Sequence, residues 1–413
     1  MTFDVADWRS RFPALERVLA GRPVAWFDGP GGAQVPRSVV TAIGDVLTRG
    51  VSNLGGAYPP SEEAEAIVTG ARAAAADLVG AIGPEAIAFG PNMTTLNLAL
   101  ARALSADWGP GDEVVVTRLD HDANISPWLL AARRTGATVR WIDMDPDDGC
   151  SLADVEPMLS DRTRVVAVTH ASNVVGTIPD VAAVCAAARS VGATSVVDAV
   201  HHAPHAPTDM AELGCDALLC SAYKFHGPHI GVLALAPNHW DLVPERIRPA
   251  PDHQPGWWET GTQSFEALAG VTAAIDELAT IWSGPSRRER LVDGLGRIHS
   301  HTDELAVHFL DGLRDLPSIR LFGIDDDRPR TPTFALEVAG RDPGEVATEL
   351  GRRGLFVGHG NFYGLEVVRR LGRADRGVVR VGFVSYTDLG EVDRLLEALV
   401  GLAPASGTAP AAR

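Results

Sequence analysis

The sequence predicts an α/β protein, with a large domain built on a mainly parallel sheet and a smaller α/β domain following it. Three observations predict this. From about residue 65 to 235, short β-rich runs alternate with alanine-rich helical runs. The β-rich runs are apolar throughout, the pattern of strands buried on both faces beneath helices. Beyond a helical stretch near 265–282, the punctuating SGPSRRER leads into a second helix and a shorter series of strands and helices.

Along the chain, MTFDVADWRSRFPAL reads as an acidic amphipathic helix within an amino-terminal segment, 1–20. The large domain, 21–283, pairs AIAFG with NLALARAL, EVVVTRL with SPWLLAARRTG, and RVVAVTH with VAAVCAAARS. The runs SVVDAV, ALLCSAY and IGVLAL complete its sheet. The smaller domain, 284–403, contributes TPTFALEV, GEVATELGRRG, LFVGHG, VVRVGFV and LGEVDRLLEALV. Residues 404–413 are rich in Ala, Pro, Gly and Ser and are expected to be disordered. In an open α/β sheet, ligands bind beyond the carboxyl ends of the strands, so the residues just past each strand carry the functional reading.

Composition narrows the function classes. With 413 residues and a formal charge of −17, the chain offers little to a phosphate backbone or an anionic membrane surface. No uninterrupted apolar stretch is long enough to cross a bilayer. Cys150, Cys185, Cys215 and Cys220 form no C-x-x-C pair and are too sparse for a disulfide framework. A soluble, cytoplasmic protein is expected. The histidines of HHAPH and HGPH (His201, His202, His205, His226 and His229) complete no recognised metal spacing, so no metal is expected. The run GPGG lacks the strand-then-G-x-G-x-x-G context of a nicotinamide site.

One residue stands apart. Of 36 basic residues only Lys224 is a lysine, the other 35 being arginine. A guanidinium is effectively never neutral, whereas an amine can lose its proton and attack a carbonyl. Lys224 follows the apolar run ALLCSAY, and Asp198 ends the run SVVD. An amine at one strand end and a carboxylate at another suit pyridoxal phosphate, the lysine bonding the aldehyde and the carboxylate keeping the pyridine nitrogen protonated. After AIAFG come Asn92, Met93 and Thr94 at the start of a helix. Asn92 or Thr94 can cap it, and its free backbone amides make a phosphate cradle.

With these residues in place, nearly the whole chain resembles a class V aminotransferase of fold type I, close to the cysteine desulfurases and selenocysteine lyases. WFDGPGGAQVP resembles the family's amino-terminal D-x-A-A-T/G segment, and LDHDANISPW its E-H-x-A-N-x-x-P-W. The resemblance implies a mainly parallel seven-stranded-type sheet, with His121 stacked on the pyridine face and Asn124 shaping its loop. HASNVVGT implies Asn173 near the cofactor's phenolic oxygen, and VDAVH implies Asp198 on the pyridine nitrogen. SAYKFHGP implies a phosphate contact for Ser221 and covalent attachment at Lys224. WWETGTQS implies that Thr262 reaches a phosphate across the interface of a homodimer with a shared site. VVRVGFVSYTDLGEVDRL implies Arg380 as the clamp for a substrate carboxylate.

Departures from the family shape the expected reaction. Asn92 and Met93 stand where two threonines are usual, His201 replaces a glutamine, and Tyr223 replaces a histidine. LFVGHGNFYG aligns with the loop that carries the persulfide-forming cysteine, yet holds His359, Gly360 and Asn361. His359 and Asn361 are therefore read as substrate-binding residues. Loss of the α-proton to Lys224 is common to β-elimination, transamination and epimerisation. The expected reaction is carbon–sulfur cleavage in cysteine or an S-substituted cysteine by β-elimination. A desulfurase or selenocysteine lyase, an aminotransferase, an epimerase and a non-catalytic relative of the fold remain alternatives. The substrate side chain is expected to meet some of Tyr58, Trp128, Trp257, Trp258, Phe362 and Tyr363. Cys220, a candidate sulfur acceptor, reads as a buried structural residue.

Overall fold

A computed structural model describes residues 3–19, 21–248 and 251–402. Seven strands form the main sheet: β1 (Ile87–Gly90), β2 (Glu113–Thr117), β3 (Thr138–Ile142), β4 (Thr163–Thr169), β5 (Thr194–Asp198), β6 (Ala217–Ser221) and β7 (Gly231–Leu235). Their order across the sheet is β1-β7-β6-β5-β4-β2-β3, and all run parallel except β7. A parallel return requires a crossover of about a dozen residues or more. The connection 222–230 is too short for that, so β7 runs back beside β6. Strand β3 was absent from the runs read in the sequence because its face is only half covered. Thr138 is exposed and Arg140 interrupts the apolar pattern.

Alternate residues of each strand enter separate cores, as period-two geometry requires. Val114 and Val116 pack with Leu96 and Leu100 of the Met93–Leu104 helix and with Trp128 of the Ser126–Thr135 helix. Val115, Val166 and Val168 face the other way, toward Val68 and Leu78 of the Pro59–Val79 helix and Ile275 of the Phe265–Ala279 helix. Burial on both faces explains the unbroken apolar runs.

The punctuation in SGPSRRER is a helix start. Ser286 accepts from the Glu289 amide and its own amide donates to the Glu289 carboxylate, a capping box for the helix Arg287–Arg314. Arg287 and Arg288 tie its first turn to Asp77, Asp276 and Asp209 of the main unit, while Leu305, Phe309 and Leu313 enter a second core. That core covers an antiparallel sheet of β8 (Ile319–Phe322), β9 (Thr333–Val338), β10 (Gly358–Gly360) and β11 (Val378–Gly382), in the order β8-β9-β11-β10.

The helix expected at the amino terminus forms over Val5–Ser10, and two tertiary contacts of this region are not legible in the sequence. Ala25–Trp26 pairs in parallel with Leu355–Phe356, so Ala25 and Phe27 belong to the second core although the chain around them precedes the main sheet. The Val5–Ser10 helix, capped by Asp4, buries Trp8, whose indole donates to Ser385. The expected tail, 404–413, lies outside the described residues. Among the described residues no helix is long and apolar enough to cross a membrane.

Candidate active site

A cavity of about 600 Å³ opens where the carboxyl ends of the main strands meet β11 and the turn after β10. Asn92, Met93, Thr94, His121, Asn173, Asp198, His201, Ser221, Tyr223, Lys224 and Arg380 line it, so most of the expected residues converge. Asp198 closes β5 and is almost fully buried, with one carboxylate oxygen accepting from the Val200 amide at 2.9 Å. Burial pushes its pKa up to about 6, against the pull of Lys224. Lys224 ends the single helical turn that follows β6, and its amine donates to the Pro30 carbonyl. Burial, then the charge of Arg380, bring its pKa down to about 7, with Asp28 and Asp198 acting the other way. An amine that is half neutral near pH 7 can attack an aldehyde or accept a proton.

The His121 loop is held from below. Its Nδ1 accepts from the Ala123 amide at 2.9 Å, which leaves the ring proton on Nε2. Burial, Lys224 and Arg380 lower its pKa to about 4, so the ring is neutral. The neighbouring Asp120 accepts from Asn124 at 2.7 Å and from Thr117, and Asn97 donates to Asn124 at 2.9 Å. This buried chain fastens the loop to the Met93–Leu104 helix.

That helix presents its amino end to the cavity. Asn92 caps it, accepting from the Thr95 amide at 2.9 Å, and the Met93 amide donates to the Ser221 hydroxyl at 3.1 Å. The close approach depends on Gly231, where a Cβ would stand 2.2 Å from the Asn92 carbonyl carbon and 2.6 Å from the Met93 nitrogen. Gly231 was missed in the sequence, although a glycine opening an apolar strand is a signal of close backbone approach.

On the opposite wall Arg380, 3% exposed, donates to Asp28 at 2.7 Å and to the Asn173 carbonyl at 3.2 Å. Its Nε has no partner among the described residues, nor has the buried Oδ1 of Asn173. Asn173 Nδ2 donates to the Phe362 carbonyl at 3.0 Å. His201 Nε2 lies 3.1 and 2.9 Å from the hydroxyls of Thr331 and Thr333, and Tyr223 stacks on His229 with centroids 4.8 Å apart.

Three expected residues do not reach the cavity. His359 is exposed on β10 and lines an open cleft with Arg341, Glu345 and Arg352. Asn361 turns back to accept from the Tyr363 amide at 3.0 Å. Neither side chain lines this cavity in the single chain; the strand pairing of β10 and the turn after it bring Phe362 and Tyr363 to its wall instead. Thr262 lines a separate cavity of about 350 Å³ with Asn53, Arg246 and Glu259. Of the other aromatics proposed for the substrate, Trp128 is buried in the core, Trp258 is buried, Trp257 borders the Thr262 cavity and Tyr58 is exposed. All four cysteines are buried and none lines the active-site cavity. Among the described residues no group of three or more His, Cys, Asp or Glu is placed to hold a metal ion.

A buried amine beside a buried carboxylate, a helix amino end laid against Ser221, a neutral imidazole and an unpaired amide oxygen together fit pyridoxal phosphate. A profile for the family described as aminotransferase class-V matches residues 25–395. The chain belongs to the class-V aminotransferase family. This class-V protein is 33% identical to an uncharacterized protein of Mycobacterium tuberculosis, over 97% of this chain and 100% of that one. It is 32% identical to a probable cysteine desulfurase of Halalkalibacterium halodurans, over 94% of this chain and 95% of that one. The solved apo cysteine desulfurase of Thermococcus onnurineus superposes on it with a TM-score of 0.86 at 27% identity, covering 96% of this chain and 98% of that one. As a class-V aminotransferase with this site, the protein is a pyridoxal phosphate-dependent enzyme.

Proposed function

We propose that this class-V enzyme cleaves the carbon–sulfur bond of L-cysteine or an S-substituted L-cysteine by β-elimination, with no persulfide on the protein. One observation carries the reading: a cavity of the desulfurase type has no thiol in its walls. Burial pushes the Cys220 thiol up to about 12, which keeps it protonated and a poor sulfur acceptor. Elimination needs no acceptor, because an S-substituted cysteine and water give pyruvate, ammonium and a thiol.

Each residue has a place in this reading. Pyridoxal phosphate, when bound, supplies an electron sink for the pair released at the α-carbon. Asp198 holds the ring-nitrogen proton, and His121 covers the ring face. The amides of the Met93–Leu104 helix, together with Ser221, take the phosphate, and His201, Tyr223 and Asn173 surround the ring. Arg380 offers a fork whose Nε is free, and the α-carboxylate takes the place that Asp28 shares. Lys224 accepts the α-proton. Thr262 serves the phosphate of a second copy, so the active form is a homodimer.

Product identification tests the reaction. Cysteine or S-methylcysteine should yield pyruvate, ammonia and sulfide or methanethiol, and the Cys220→Ala protein should match the parent. Alanine with an enzyme-bound persulfide lost in one cysteine variant would restore the desulfurase. Amino transfer to a keto acid would establish an aminotransferase.

A further inference from the structure

Two successive aromatic residues, Phe362 and Tyr363, have φ of 56° and 58°. In this left-handed region a bulky side chain is strained. Such strain persists only where the surroundings over-determine it, and it clusters at ligand clamps. Here hydrogen bonds impose it from several sides. The Phe362 carbonyl accepts from Asn173 at 3.0 Å, the Tyr363 carbonyl from the Asp122 amide at 2.7 Å, and the Tyr363 amide donates to Asn361 at 3.0 Å.

The turn places both rings in the wall of the active-site cavity. The Phe362 ring centroid is 4.0 Å from the guanidinium carbon of Arg380, and Tyr363 lies 5.5 Å from His121 at an interplanar angle of 39°. An amino acid anchored on Arg380 and reacting beside Lys224 and His121 therefore lies across the span of these rings. Tyr363 is 71% exposed in the single chain, so its ring is free to meet a ligand. Leu98, Pro127 and Leu130 continue the apolar lining. Among the described residues no lysine or arginine other than Lys224 and Arg380 lines the cavity, so a second acidic group on the substrate meets no further cation from them.

We propose that Phe362 and Tyr363 form a fixed aromatic wall that selects amino acids with an extended apolar side chain. On the carbon–sulfur cleavage reading, the favoured substrate is an S-alkyl or S-aryl L-cysteine and not cysteine itself.

Two measurements on the holoenzyme test it. Titration with L-norleucine and L-alanine, followed by the absorbance of the bound cofactor, reads side-chain preference without any leaving group. The parent should bind L-norleucine at least about tenfold more tightly than L-alanine. Tyr363→Gly, which removes the ring and adopts a positive φ freely, and Phe362→Ala should each bring that ratio toward unity. A parent ratio within about twofold of unity, or variants that keep the parent's preference, overturns the wall. In the second measurement kcat/KM for S-benzyl-L-cysteine should exceed that for L-cysteine by about tenfold or more, and the same variants should erase the difference. Absence of thiol and pyruvate from either substrate, with the norleucine preference intact, rejects the cleavage reading and leaves the wall standing.

Discussion

At the scale of single residues, the site works by withholding water from an amine, a carboxylate and a guanidinium. Lys224 shares the cavity with Arg380, and burial with that charge lowers its pKa to about 7. Attachment of pyridoxal phosphate to the apoprotein requires the neutral amine. Its rate should therefore rise about tenfold per pH unit below 7 and level off above, a curve that stopped-flow absorbance between pH 6 and 9 would trace. Arg380→Ala removes one cause of the depression and should move the midpoint upward. The same substitution should lower kcat/KM about 100-fold through loss of the carboxylate fork, about 2.7 kcal/mol. Asp198→Ala should still bind the cofactor but lose most turnover, since nothing then retains the ring proton. Turnover within tenfold of the parent would remove Asp198 from its role.

At the scale of elements, helix and strand meet where side chains have been dispensed with. Gly231 lets the amino end of the Met93–Leu104 helix lie against β7, and a methyl group there would meet backbone atoms that cannot step aside. Gly231→Ala should cost about 3 kcal/mol of stability and weaken cofactor retention together, measurable as a lower Tm and faster loss of chromophore on dialysis. The turn after β10 runs the other way. Tyr363→Gly removes a left-handed penalty while giving up a largely exposed ring, so the variant should be about 0.5–1 kcal/mol more stable by chemical denaturation. Stability gained with side-chain preference lost would mark that turn as strained for function.

At the scale of the molecule, His121, His170, His201, His202, His205 and His226 are all buried and all have lowered pKa values. Above pH 6.5 both folded and unfolded states leave them neutral. Below it the unfolded chain takes up protons first, so stability falls as pH drops from about 6.5 toward 4. Carboxylates raised by burial, Asp120 and Asp198 foremost, act with the opposite sign and are fewer. Each net proton contributes about 1.4 kcal/mol per pH unit, and Tm measured across this range should decline accordingly. The proposed homodimer is tested by sedimentation: a monomer at full activity would exclude it. Thr262→Ala should then weaken cofactor binding in the dimer although the residue stands outside its own chain's cavity.

The sequence by itself determined most of the main sheet, the family and the lone amine of the cavity. Apolar runs buried on both faces leave no other economical partner than helices on either side, and a lone lysine beside the SVVD carboxylate needs no coordinates to be noticed. Asn92, His121, Asn173, Ser221 and Arg380 were legible because each sits in a motif just past a strand or on one. Tertiary structure decided the remainder, because it depended on residues distant in sequence. Strand β3 was hidden by half-exposed positions, and Ala25 and Phe27 joined the second core through a strand pairing with residues some 330 positions away. His359 on β10 and Asn361 in the turn after it lie within four residues of Phe362 and Tyr363, and the pairing of β10 with β11 and the hydrogen bonds of that turn, those from Asn173 and Asp122 included, decide which of the four face the cavity. Backbone strain of that kind leaves no mark in composition or periodicity, since it is imposed by partners that the folded chain alone brings together.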